Sequence, residues 1–188
     1  MPLSIFTVLV HYPVLDKHNH LVSTSVTNLD LHDISRSSRT YGVEKFYIVT
    51  PVEAQHYIMA KINEHWDTGW GSTYNANRKD ALGLSKVMPD VLSVHEDIID
   101  KCGVEPLWIG TSAKRHQRSL SYADLRTTLT TDGPPVCLVF GTGWGLHPEI
   151  LLELDYLLEP IYGPTDFNHL SVRAAAAIIL DRLLSRQS

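Results

Sequence analysis

Two cysteines in 188 residues are too few for a disulfide framework, and Cys102 and Cys137 are isolated from each other in the sequence. Cys137 lies inside the apolar run Val136 to Phe140, the usual place of a buried reduced thiol, so the expected compartment is a reducing cytoplasm. No apolar run is long enough to span a bilayer. The run that ends at Val10 has no basic segment ahead of it and is cut short by His11 and Pro13, unlike a secretory signal. Positive charge is also short: 16 Lys and Arg against 21 Asp and Glu give a formal charge of −5. That balance argues against a protein that coats nucleic acid through many phosphate contacts. Local basic clusters remain at Arg36 with Arg39 and at Lys114, Arg115 and Arg118, although clusters this short are more often solvated surface. None of the ten histidines has ligand spacing on a helix, and His18-Asn19-His20 falls in a polar turn, so no metal site is expected. Internal repeats and low-complexity linkers are absent as well.

What is present is an ordinary globular composition, 44% apolar and 20% charged, which fits one domain over residues 1–188. Strand-like apolar runs recur at Ser4 to Val10, Lys45 to Val49, Pro106 to Gly110, Val136 to Phe140 and Tyr156 to Ile161, mostly with helical patterns between them. The alternation predicts an α/β fold with a mainly parallel sheet flanked by helices. Thr50-Pro51-Val52-Glu53 reads as a hydroxyl cap, a first-turn proline and a capping-box glutamate, which predicts a helix from Pro51 to about Trp66. Further helices are expected from Asn28–Asp30 to Gly42, up to Gly103, from Pro148, and from Leu170 to about Leu184. Asp67 to Leu82 is expected to be a long irregular stretch, either a binding loop or a passive excursion.

Ligands of an open parallel sheet bind beyond the carboxyl ends of its strands. Three of those ends carry unusual residues: Thr111-Ser112-Ala113-Lys114-Arg115, Gly141-Thr142-Gly143-Trp144-Gly145-Leu146, and Tyr162-Gly163-Pro164-Thr165-Asp166-Phe167-Asn168-His169. The glycines of the second allow main-chain groups to approach a flat ring or a ribose. A phosphate cradle is disfavoured, since neither a Walker lysine nor GxGxxG follows. Alone, such a turn is more often a tight loop without a ligand. Nearer the N-terminus, His32, Arg36 and Arg39 share one helical face, which reads equally as a solvated surface with an Asp33 to Arg36 ion pair. A nucleotide hydrolase is disfavoured because no nucleophile elbow or metal cluster is present.

The order Thr27-Asn28-Leu29-Asp30-Leu31-His32-Asp33-Ile34-Ser35-Arg36-Ser37-Ser38-Arg39-Thr40-Tyr41-Gly42-Val43, then the glycine-rich turn, then Glu159-Pro160-Ile161-Tyr162-Gly163 and Asn168-His169-Leu170-Ser171-Val172-Arg173-Ala174, resembles the three motifs of the SPOUT superfamily. Over most of its length the chain is similar to the small bacterial SPOUT family of S-adenosylmethionine-dependent RNA methyltransferases related to the tRNA (guanine-N1) enzymes. The resemblance implies a C-terminal trefoil knot, S-adenosylmethionine held bent within it, and a homodimer whose active site draws on both subunits. The substrate would be a base or ribose of tRNA or rRNA.

By position, Thr111, Ser112, Gly141, Gly143, Gly145, Leu146, Ile161, Gly163, Asn168, Leu170 and Ser171 would contact the cofactor. Arg36 matches the arginine that orients or helps to deprotonate a ribose hydroxyl in ribose-methylating members. Asp33 and Asp166 are the candidate bases for a guanine ring nitrogen, and Arg39, Lys114 and Arg115 are candidate RNA contacts. Related members usually carry an asparagine followed by glycine-containing turns in the first motif and an acidic residue in the second. This chain has Asn28-Leu29-Asp30 and Thr142-Gly143-Trp144 there, which leaves base and ribose both open. The competing reading is a catalytically silent module that binds RNA or an adenosine ligand.

Overall fold

The apolar runs become strands because both of their faces are covered. The computed structural model describes residues 4–117, 119–129 and 133–186, so Arg118 of the second basic cluster lies outside the described residues. In chain order the elements are β1 (Ile5–Val10), β2 (Val14–Leu15), β3 (Leu21–Val22), α1 (Asn28–Thr40), β4 (Lys45–Val49), α2 (Glu53–Asp67), α3 (Trp70–Tyr74), α4 (Ala76–Leu82) and β5 (Ser85–Met88). Then follow α5 (Val91–Cys102), β6 (Leu107–Gly110), β7 (Ser119–Leu120), α6 (Tyr122–Leu129), β8 (Val136–Gly141), α7 (Pro148–Glu153), β9 (Tyr156–Leu158) and α8 (Val172–Leu184). Seven strands form one sheet in the order β5-β4-β1-β8-β6-β9-β7, and every pairing in it is parallel.

Alternation along the central strands separates two apolar layers. Ile5, Leu9, Phe46, Ile48, Leu138 and Phe140 pack with Leu31 and Ile34 of α1, Leu125 of α6 and Ala176, Ile179 and Leu180 of α8. Phe6, Val8, Val10, Tyr47, Val49 and Val139 face the other way, onto Val94 and Ile98 of α5 and Ile150 of α7. Each such fully buried side chain contributes about 1.5–3 kcal/mol. Thr7, polar and fully buried on the first face, is satisfied by the Ser38 hydroxyl of α1 at 3.1 Å.

Several helix boundaries follow their signals. Thr27 caps α1 by accepting the Asp30 N–H, and Gly103 ends α5 at φ 73°. The α2 cap differs from expectation: Thr50 Oγ1 accepts the Val52 N–H at 3.3 Å, the helix starts at Glu53, and its N-cap Val52 makes no side-chain cap bond. Proline therefore lies ahead of the helix instead of in its first turn. The stretch 67–82 is not irregular but contains α3 and α4, the latter capped by the Asn75 side chain, which accepts the Arg78 N–H. Ser171 caps α8, so that helix begins at Val172 and not at Leu170. No helix among the described residues is long and apolar enough to cross a membrane.

Candidate functional site

Because β1, β8, β6 and β9 are parallel neighbours, the connections leaving their carboxyl ends share one edge of the sheet. The turn after β8 is held by the small hairpin β2–β3. Trp144 N–H donates to the Leu15 carbonyl at 2.9 Å, Leu15 N–H to Gly145 at 3.0 Å, and His147 N–H to Pro13 at 3.3 Å. Thr142 N–H reaches Val10, and Gly145 N–H closes on Thr142. Most of the main-chain donors expected to face a ligand are therefore used inside the protein. The glycines serve close packing: a Cβ on Gly141 would lie 2.8 Å from the Leu146 nitrogen, and one on Gly143, at φ +60°, would lie 2.7 Å from the Leu15 carbonyl oxygen. Leu146 is buried, which makes it part of the apolar layer under the turn.

A polar chain runs beneath the same turn. Thr142 Oγ1 meets Thr24 Oγ1 at 2.5 Å, and Thr24 Oγ1 meets His11 Nδ1 at 2.9 Å. His11 is 1% exposed, its Nε2 has no hydrogen-bond partner among the described residues, and burial pushes its imidazole down to about 4, with Asp30 opposing. Neither His11 nor Thr24 was singled out by the sequence, because a histidine one residue past a strand carries no spacing signal.

The connections after β6 and β9 are joined to each other. Asn168 Nδ2 donates to the Ala113 carbonyl at 2.7 Å. Thr111 turns inward, its hydroxyl and N–H both donating to the Val139 carbonyl at 3.0 and 2.9 Å. The Ser112 hydroxyl accepts the Lys114 N–H at 3.0 Å and lies 3.2 Å from His116 Nε2. Lys114 and Arg115 are exposed, as is Asp166. Ile161 is half-buried against the first apolar layer. From Tyr162 to Asp166 no backbone N–H has a hydrogen-bond partner among the described residues, and a Cβ on Gly163 would meet nothing within 4 Å. Leu170 is partly exposed, and Ser171 accepts the Ala174 N–H. Open main chain beside Ser112 and Ala113 suits the edge hydrogen bonds of an adenine or ribose, so the donor set fits the expected cofactor on the β6 and β9 side.

The N-termini of α1 and α8 meet at this edge. Arg173 lies 3.2 Å from Asp30 and 3.4 Å from Asp33, so Asp33 pairs with α8 and not with Arg36. A cation in a first helical turn opposes the helix dipole; that misfit was the available signal for Arg173. The Arg36 guanidinium is exposed and has no ion-pair partner among the described residues. Arg39 instead pairs with Asp80 at 2.7 Å. His32 packs edge-on to Trp66, its Nδ1 lacks a partner among the described residues, and burial lowers its pKa, with Arg78 and Arg36 adding to that and Asp33 opposing. No cluster of metal-ligating side chains occurs among the described residues.

A protein of Aquifex aeolicus is 41% identical over 183 residues, which is 97% of this chain and 89% of that protein. A tRNA (guanine-N(1)-)-methyltransferase of Nitratidesulfovibrio vulgaris is 48% identical over 181 residues, 96% of this chain, but the chain spans only 42% of that relative's length. Among solved structures, a TrmH/SpoU tRNA modifying enzyme of A. aeolicus superposes with a TM-score of 0.58 at 18% identity, over 97% of this chain and 74% of that one; at that identity the likeness is one of fold. A family model described as SAM-dependent RNA methyltransferase matches residues 4–185. With the match running through nearly its whole length, the chain belongs to the SAM-dependent RNA methyltransferase family.

Proposed function

We propose that the chain transfers a methyl group from S-adenosylmethionine to a base or ribose of RNA, with tRNA as the first substrate to test and rRNA as the second. The observation that carries this reading is the main chain at 162–166, whose N–H groups have no partner among the described residues, held beside Ser112 and Ala113 by Asn168. The cofactor, when bound, supplies a methyl group already activated by its sulfonium charge. The chain's own residues then have only to align an in-line displacement and remove a proton.

In this reading residues 161–171 and 111–113 hold the adenosine, Gly141, Gly143 and Gly145 set the shape of the neighbouring wall, and Arg36 orients the RNA nucleophile. Asp166 is the better candidate base, because Asp33 is engaged by Arg173. Lys114 and Arg115, exposed at the mouth, suit phosphate contacts, whereas Arg39 must first leave Asp80. The knot belongs to the same reading. Its support is that residues 159–168 run along the 111–121 connection, with Glu159 N–H on the Leu120 carbonyl at 2.9 Å and Asn168 on Ala113. The chain would work in the cytoplasm as a homodimer, in which the unpaired Arg36 of one subunit serves its partner's site. The alanine-rich part of α8 is weak support for that assembly, since Ala176 is already buried in the first apolar layer.

Transfer of labelled methyl from S-adenosylmethionine to unmodified tRNA, followed by nuclease mapping of the label, tests the reading. Arg36→Ala should keep cofactor affinity and lower transfer by about tenfold or more. A protein that binds cofactor and RNA but transfers no label is the silent module instead.

A further inference from the structure

Helix α2 buries little of its own apolar surface. Of its 15 residues only Met59 is fully buried, while Tyr57 and Ile58 are 66% and 56% exposed. With Asn28, Lys61, Ile62, His65 and Trp66 they line a groove of about 400 Å³, within the range of small-ligand pockets. From Tyr57 to His65 the groove extends about 12 Å along the helix.

Rings and cations alternate around it. Lys61 Nζ lies 5.9 Å from the Tyr57 ring centre, and the Arg78 guanidinium sits 4.6 Å over Trp66. His32 and His65 meet Trp66 edge-on, with ring centres 5.7 and 5.2 Å away. Protein interfaces deplete lysine, whereas single-stranded nucleic acid is held by rings that stack on its bases and cations that face its phosphates. The groove also adjoins the candidate site. Asn28 is the first residue of α1, the helix that carries the unpaired Arg36 and is tied through Asp30 and Arg173 to the start of α8.

We infer that this groove is a nucleobase-binding subsite that takes an unpaired base of the RNA substrate, with Lys61, once released from its 2.7 Å pair with Glu64, facing its phosphate, an inference that builds on the methyltransferase reading above. Tyr57 is the residue to test, because its exposure puts the fold at little risk. Binding of a short labelled oligoadenylate strand, without cofactor, is compared with that of an RNA duplex of equal length. The wild type should prefer the strand, Tyr57→Ala should weaken strand binding by about tenfold, and Tyr57→Phe should restore it. Calorimetric affinity for S-adenosylmethionine should be the same in all three. Strand binding by Tyr57→Ala at the wild-type level, or equal affinity for strand and duplex, overturns the inference. So does a Tyr57→Ala protein that becomes a monomer by light scattering where the wild type is a dimer, since the groove then covers a second copy. Failure of the wild type to label unmodified RNA counts against the methyltransferase reading alone, because strand binding is measured separately.

Discussion

The turn at 142–147 and the segment at 161–171 leave the same edge of the sheet from strands with only β6 between them, yet they use their main chains in opposite ways. In the turn, the N–H groups of Thr142, Trp144, Gly145 and His147 all have backbone partners, and a hairpin closes over it. In the segment, the N–H groups from Tyr162 to Asp166 have none among the described residues, and Asn168 supplies the side-chain tie to the neighbouring connection. A wall whose hydrogen bonds are satisfied without ligand costs nothing further to order. A segment whose donors are open gains bonds when a ligand arrives, and loses conformational entropy in doing so. On the proposed reading, shape at this edge is set by one region and recognition by the other.

Filling a glycine of the fixed wall should give the largest effect. Gly143→Ala must hold a left-handed φ and place a Cβ 2.7 Å from a backbone oxygen, which cannot move without the hairpin. Loss of at least about 3 kcal/mol of stability is expected in chemical denaturation. A variant as stable as the wild type means that the hairpin is not fixed on the turn.

Acid should attack the same wall from beneath. His11 is buried neutral, with its folded-state pKa at about 4 against an ordinary 6.5. Between those values the unfolded chain binds more protons, so the stability from keeping His11 neutral is complete above 6.5 and is lost as pH falls toward 4. The shift corresponds to roughly 3 kcal/mol. Melting curves of wild type and His11→Asn across that window should converge toward acid; parallel curves would show that His11 is not the group responsible.

The open segment should respond in affinity instead. Removing the Asn168 to Ala113 bond with Asn168→Ala should leave the melting temperature nearly unchanged and weaken S-adenosylmethionine by about five- to tenfold in calorimetry. Unchanged affinity would place the cofactor away from this segment.

How much of this was legible differs along the chain for physical reasons. β1, β4, β6, β8 and β9 were readable because burial on both faces forces continuous apolar runs. β5, with the sequence Ser85-Lys86-Val87-Met88, sits at the sheet edge and is nowhere fully buried, so its pattern resembles a loop. β2 and β3, two residues each, are too short for any period, although Asp16 marks the turn between them by accepting the His18 and His20 N–H groups. Gly69 and Gly71 suggested irregular chain at 67–82, but Asn75 followed by Ala76-Asn77-Arg78-Lys79-Asp80-Ala81-Leu82 is a capped run of mostly good helix formers. The connections after β6, β8 and β9 were located correctly as strand ends. Which of them has its main chain free was not legible, because that depends on a hairpin bonded to one of them from more than a hundred residues earlier in the chain.

The smallest expected effect is the sharpest test of the contrast, since it repeats the first substitution in the second region. Gly163 has no left-handed φ, and a Cβ there meets nothing within 4 Å. Gly163→Ala therefore adds no clash and narrows the unfolded ensemble, a change expected to stabilise by less than about 1 kcal/mol. The same methyl that should weaken the fold at residue 143 should leave it intact at residue 163. Its methyl would enter the space in which adenosine is expected, so affinity for S-adenosylmethionine should fall while melting does not. If Gly163→Ala melts well below the wild type, the segment is already packed without ligand, and the two regions do not divide shape from recognition.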